Sequence, residues 1–299
     1  MKLLLLYEKE EKSRADRLVR FIKRKKYDLT VSSCAVKPGR PESLADCFFG
    51  SSHIMALLLK SPAFTPWFAF TAGFSLGAGH PLLCYSALTE GVHLPRTDYF
   101  ILIRNDKDLD AYLAVETEAW AQKEAYRQAK AALLDMGIPF NEESLENCIR
   151  ERKNQAVSYF INAGFSPNAR DKFGVPLLNL AARAGDWNIV KLLLKAGASV
   201  NLQAEDRGTT ALIDSTAGKH IDIMELLLEA GADVNLKSKD GQSALIIAVG
   251  LNDEVSTALL LKAGANADEP DSLGASARKY AMLFNKPAMV ELFKTYAGQ

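Results

Sequence analysis

Glu8 closes the first apolar run of the chain, Lys2-Leu-Leu-Leu-Leu-Tyr7, and is the best-placed acid for catalysis. A carboxylate at a strand end can act as nucleophile or proton carrier. It can equally be a solvated loop charge or a partner for Lys12. Glu42 and Asp46 open a later helical stretch and are further acids of the same kind. No serine–histidine–acid ordering stands out. The four cysteines (Cys34, Cys47, Cys84, Cys148) form no CxxC pair, and the four histidines are equally scattered, so no metal site is expected. Gly73, Gly77 and Gly79 lie within and at the end of a helical stretch, not at its start, and so lack the aligned amides that hold a phosphate. Arg20, Lys23, Arg24, Lys25 and Lys26 form a basic cluster without interleaved aromatics. It reads better as cations at a helix C-terminus than as a nucleic-acid patch.

The elements that must position these residues follow from the apolar pattern. Residues 2–7, 29–34, 53–60, 81–86 and 98–103 are short apolar runs, read as strands buried on both faces. Helical stretches near 12–26, 41–50 and 66–78 lie between them, and Leu18, Phe21 and Ile22 share one face of the first. This alternation predicts a parallel α/β sheet of flavodoxin-like type. Ligands in such sheets bind beyond the carboxyl ends of the strands, here Glu8–Ser13, Val36–Pro41, Ser61–Trp67 and Tyr85–Thr89. A long polar helix, about Asp108–Met136, follows, and Gly137-Ile-Pro139 ends it. The domain boundary is placed there: 1–137 and 142–299.

Length and composition fit this division. The chain has 299 residues, 48% of them hydrophobic, and a formal net charge of zero, so no whole-protein field favours nucleic acid or a membrane surface. The first apolar run is too short for a signal peptide, and no stretch is long enough to span a membrane. With unpaired thiols, these features place the protein in the cytoplasm.

In the second half one phrase recurs: Gly164-Phe-Ser-Pro-Asn168, Gly197-Ala-Ser-Val-Asn201, Gly231-Ala-Asp-Val-Asn235 and Gly264-Ala-Asn-Ala-Asp268. A second phrase starts at Gly174, Gly208, Gly241 and Gly274 and opens a short helix. A longer apolar helix follows, such as Trp187-Asn-Ile-Val-Lys-Leu-Leu-Leu-Lys, and the recurring glycine stops it. The Asn or Asp four residues later is expected to bond local backbone. A period of 33 to 34 residues means stacked helix pairs.

These residues resemble the ankyrin repeat over about 142–299. Five units are expected, the outer two as caps, with Lys279, Lys286 and Lys294 solvating the trailing face. The resemblance implies an all-α solenoid that binds a protein partner through turn tips and the exposed side of the first helices. Here those positions are Asp171, Lys172, Phe173, Asn179, Arg183, Asp206, Arg207, Lys239 and Asp240. His220 occupies the family's usual histidine position in the second helix and is read as structural.

The first half carries a second resemblance. Leu5-Leu-Tyr-Glu8, Pro38-Gly39, Ser61-Pro-Ala-Phe-Thr-Pro-Trp67 and Gly79-His-Pro81 resemble stretches of TIR domains, and the nucleoside 2-deoxyribosyltransferases share much of the layout. The resemblance implies a nucleotide pocket of Glu8, Pro38, Gly39, Ser61, Trp67 and Thr71. It also implies cleavage of an N-glycosidic bond by a Glu one turn after the Trp. That count arrives at Thr71, and the surrounding helix has no acid, so the chemistry is expected to be lost. The expectation is an interaction or signalling scaffold with no cofactor, whose TIR-like half self-associates. The alternative is a hydrolase or transferase acting on NAD or a nucleoside, with Glu8 as its acid.

Overall fold

The computed structural model describes residues 1–25, 27, 29–36, 48, 51–57, 68, 71–73, 75, 82–86 and 100–296. They form two compact units, Met1–Glu124 and Ala125–Gln299.

The first unit is built on a parallel sheet of β1 (Lys2–Glu8), β2 (Thr30–Val36), β3 (His53–Leu57), β4 (Leu82–Tyr85) and β5 (Phe100–Ile103). Their order is β2-β1-β3-β4-β5. All five expected strands are present, and the uninterrupted leucines of β1 are explained by burial on both sides. Leu3, Leu5 and Tyr7 pack with Ala15, Leu18 and Ile22 of α1 (Lys12–Arg24) and with Leu109 and Leu113. Leu4 and Leu6 pack on the opposite face with Ile54, Ala56, Leu82, Cys84, Phe48 and Phe68. β2 departs from the expected burial: Thr30, Ser32, Ser33 and Ala35 are exposed. It is an edge strand, so small polar residues there keep an open ladder from recruiting another chain.

The entrance to β1 and β3 is clamped by polar groups. Ser52 Oγ accepts from Lys2 N at 2.8 Å and donates to Lys2 O at 2.9 Å. His53 Nδ1 lies 3.1 Å from the same oxygen, and its Nε2 lies 3.0 Å from Glu116 Oε1. At the end of α1, Lys25 pairs with Asp110 at 2.6 Å, so this member of the basic cluster is engaged within the unit.

Helix α2 (Asp106–Asp135) starts at Asn105, whose Oδ1 accepts from Lys107 N and Asp108 N, both at 2.9 Å. It stops at Gly137, φ +69°. There Gly137 N donates to Leu134 O and Ile138 N to Leu133 O, the paired bonds of a glycine helix stop.

Five helix pairs make up the rest. Repeat I is α3 (Glu142–Arg150) and α4 (Asn154–Asn162); repeat II is α5 (Leu177–Ala184) and α6 (Trp187–Lys195). Repeat III is α7 (Ala211–Ala217) and α8 (Ile221–Glu229). Repeat IV is α9 (Ala244–Gly250) and α10 (Glu254–Lys262); repeat V is α11 (Ala277–Leu283) and α12 (Pro287–Thr295). First helices pack on first helices and second on second in succession. One apolar core runs through the pairs, from Leu145 and Phe160 to Met289 and Phe293.

The caps repeat as well. Thr210, Ser243 and Ser276 accept from the backbone three residues on and start the first helices of repeats III to V. Asp186 and Asp253 do the same for two of the second helices. Gly164, Gly197, Gly231 and Gly264 end the second helices with φ between +86° and +94°, as their spacing predicts.

The asparagine that follows does not bond locally. Asn168 Oδ1 accepts from Ser199 N at 2.7 Å, Asn201 Oδ1 from Asp233 N at 2.8 Å, and Asn235 Oδ1 from Asn266 N at 2.8 Å. Each therefore fastens one repeat to the next. The series closes at Asp268, which instead takes the Arg278 side chain of the next first helix, ten residues on, at 2.7 and 3.2 Å.

Candidate functional site

The turns ahead of each first helix carry exposed side chains, and their local chemistry fixes what they present. Asp171 Oδ1 accepts from Phe173 N and Val175 N at 2.9 Å, and Oδ2 accepts from Arg150 Nη2 at 2.6 Å. Gly174 completes the turn with φ +74°. Asp271 builds the same turn, with Tyr280 Oη in place of the arginine. Neighbouring turns are joined backbone to backbone: Glu205 N to Gly174 O, Lys239 N to Arg207 O, and Ser272 N to Asp240 O. A Cβ on Gly241 would come within 2.6 Å of Ser272 N, so the glycine permits this approach.

The one 34-residue step has its extra residue in a turn. Asp171, Ser238 and Asp271 each donate to the residue four ahead, whereas Ala204 N reaches five ahead, to Thr209 O. This bulge carries Asp206 and Arg207. Asp206 folds back on repeat II, where its carboxylate lies 3.4 Å from Arg183. Burial acts to raise the Asp206 carboxyl, but the Arg207 N–H and the Arg183 guanidinium outweigh it and hold it below the usual carboxylate range.

Beneath the bulge lies a buried polar knot. Asn179 Nδ2 donates to Thr209 O at 2.9 Å and to Asp214 Oδ2 at 3.0 Å. Arg183 Nε lies 3.0 Å from the same carboxylate. Burial pushes the Asp214 carboxyl above its ordinary value, with Arg183 acting against it.

The expected contact positions thus divide. Phe173 is 62% exposed, and Lys172, Asp206, Arg207, Lys239 and Asp240 are exposed too. Asn179 is 1% exposed and Asp171 6%. The exposed placement does not hold for these two, because one amide ties α5 to the next repeat and one carboxylate shapes its own turn. Arg183 is half-buried between Asp206 and Asp214.

Of the trailing-cap lysines, Lys286 does not face outward into water. Its Nζ donates to Val249 O at 2.6 Å and Gly250 O at 3.0 Å, capping α9 of the preceding repeat.

The turns and first helices of repeats I to III line an open hollow of about 480 Å³. Val175, Leu180 and Ala184 line it with apolar groups, Phe173 stands beside them, and Arg150, Arg183, Asp171 and Asp206 complete it. Sequence reasoning missed Arg150, Val175, Leu180 and Ala184. Only a register that places the end of one first helix opposite the next turn would have found them. A second hollow of about 430 Å³ shares Arg150 and Asp171 and adds Glu142, Glu143 and Glu146.

In the sheet unit, Glu8 ends β1 at the carboxyl edge, and Thr71 is helical and fully buried. Pro38, Gly39, Ser61 and Trp67 lie outside the described residues. At the same edge Tyr85 Oη donates to Asp106 at 2.7 Å; burial and that carboxylate push the phenol up to about 12. Among the described residues no cluster of His, Cys, Asp and Glu could hold a metal ion, and no helix is long and apolar enough to cross a membrane.

A family model described as ankyrin repeats (three copies) matches residues 145–238. An ankyrin repeat-containing protein of Treponema pallidum (strain Nichols) is 34% identical over 244 residues, 81% of this chain and 81% of the relative. That span is longer than Ala125–Gln299, so the likeness reaches into the sheet unit. Five stacked helix pairs, glycine stops and this relative together establish that the chain belongs to the ankyrin repeat-containing proteins.

Proposed function

We propose that the protein is a cytoplasmic interaction scaffold whose repeat stack binds a protein partner through its turn tips. The observation that carries this reading is Phe173, an aromatic ring left 62% exposed on a turn beside an apolar-floored hollow. Exposed aromatics beside a formed pocket make good interface anchors. Lys172, Arg183, Asp206, Arg207, Lys239 and Asp240 supply the polar surround, with Asp171 shaping the turn beneath them.

The sheet unit is proposed as a second, TIR-like or nucleoside 2-deoxyribosyltransferase-like module of signalling type that associates with its own kind. Its parallel strand order is compatible with a flavodoxin-like sheet. Thr71 in place of the expected acid supports a module without glycohydrolase activity. NAD turnover by the purified chain, abolished by Glu8→Gln, would reverse this part of the reading.

The partner reading is tested by retaining binding proteins on the immobilised chain and repeating the capture with Phe173→Ala and with Lys239→Glu combined with Asp240→Lys. Loss of the retained protein with either variant is expected. Retention by both variants at the level of the parent would refute it.

A further inference from the structure

We infer that the groove between repeats I and II receives an extended peptide segment in which a basic side chain lies next to an apolar one. This rests on the partner-binding reading above and says what the partner presents. The two hollows adjoin at the Arg150–Asp171 pair, which lines both, and follow one another along α3, the Asp171 turn and α5. At the far end of the groove the floor is apolar, with Val175, Leu180 and Ala184 beside the exposed ring of Phe173. An apolar side chain of the peptide would gain most there.

Charge decides the rest of the occupant. Each cation lining the path already has a partner. Arg150 holds Asp171 at 2.6 Å and Glu146 at 3.8 Å. Arg183 is shared by Asp206 and Asp214. Arg170 donates to Gly174 O and Gln203 O and approaches Glu205. Lys172 lies over the Phe173 ring at 5.4 Å. An acidic side chain would find only Lys172 without a carboxylate partner, and would have to break one of the other pairs to reach an arginine. By contrast Glu142 and Glu143, exposed in the first turn of α3, form no ion pair among the described residues, although Arg150, Arg170 and Lys172 line the same hollow. The charge left over along the groove is negative, and a Lys or Arg side chain complements it without displacing anything. Burial and the nearby Asp171 carboxylate raise Glu146 above its ordinary value, in keeping with a surplus of carboxylates at that end.

The test pans a random peptide library displayed on phage against the full chain and measures the enriched peptides by fluorescence anisotropy. The expected result is enrichment of peptides with adjacent basic and apolar side chains. Phe173→Ala should weaken them about tenfold. Glu142→Gln combined with Glu143→Gln should weaken them severalfold and flatten the dependence on salt. Circular dichroism checks that the variants stay folded; these three side chains are exposed, so folding is expected to be unchanged.

Enriched peptides that are acidic, or that bind the groove variants as tightly as the parent, would overturn the inference. If such peptides are instead lost with Lys239→Glu and Asp240→Lys, the partner-binding reading stands while the groove inference falls. Enrichment of nothing at all would overturn the groove inference, while the partner-binding reading would be decided by the capture experiment.

Discussion

Gly185 illustrates how one atom can decide a joint between helices. It sits between α5 and α6 with φ +69°, and a Cβ there would lie 2.4 Å from the His220 ring. Gly185→Ala therefore meets both backbone strain and a clash. We expect a loss of about 2 kcal/mol, read as a lower urea midpoint. Asp206 and Asp214 titrate with opposite consequences. The Asp206 carboxyl is held low, so its contribution is present above the ordinary carboxylate range and fades as pH falls through that range and below. The Asp214 carboxyl is raised, so ionising it costs stability as pH rises through the ordinary range. Asp206→Asn should lower the Tm at neutral pH, by the equivalent of about 0.5 kcal/mol, with the difference vanishing in acid. An equal loss at both pH values would show that Asp206 acts by shape alone. A contact list drawn from repeat positions could not separate Asn179 from Phe173, since which side chain turns inward depends on the neighbouring turn. The bulge at Ala204–Gly208, with Thr209 behind it, decides that here.

Among the elements, the joint between the two helices of each repeat takes a left-handed residue every time, yet only repeat II places glycine there. Arg152, Lys219, Asn252 and Asn285 occupy it with φ between +48° and +57°. Lys219→Gly should relieve that strain and raise stability by up to about 1 kcal/mol, seen as a higher urea midpoint. The asparagine links make the opposite case. Asn201→Ala leaves Asp233 N without its acceptor and should cost about 1 kcal/mol. Asn201→Asp keeps the acceptor and should cost less. The helices and the glycine stops were legible in the sequence because each rests on neighbours within one turn. The asparagine role was not legible, because its partner lies a full repeat away. The exposure of β2 was missed for a similar reason: periodicity reports a strand but not its place in the sheet, and only the order β2-β1-β3-β4-β5 puts it at an edge.

For the whole molecule, a stack held by neighbour contacts should lose stability in steps rather than all at once. Removing repeat V, from Asp271 onward, takes away α11 and α12 but no link between the earlier repeats. The shortened chain should keep helical circular dichroism and unfold at lower urea with a smaller m-value. Collapse of all helical signal would show that repeat V is needed to hold the others. The match to the Treponema pallidum relative exceeds the repeat stack in length, so the sheet unit is part of what the two proteins share. Repeats could be recognised from one sequence because they display their pattern several times over. The sheet unit shows its pattern once, and its strand-end residues Pro38, Gly39, Ser61 and Trp67 rest on resemblance alone.

The asparagine links also bear on how such a chain can change over generations. The same side chain makes the same bond at three successive joints, so the joint does not record which repeat it belongs to. A duplicated or deleted stretch of one period that begins and ends at these asparagines would re-form an equivalent joint, and the array could lengthen or shorten in one genetic event. Asp268 is the exception. Its carboxylate cannot donate to the carbonyl of a following glycine, as Asn235 does to Gly264. A repeat grafted after the fifth would need the reverse change, Asp268→Asn, before it could be held in the same way.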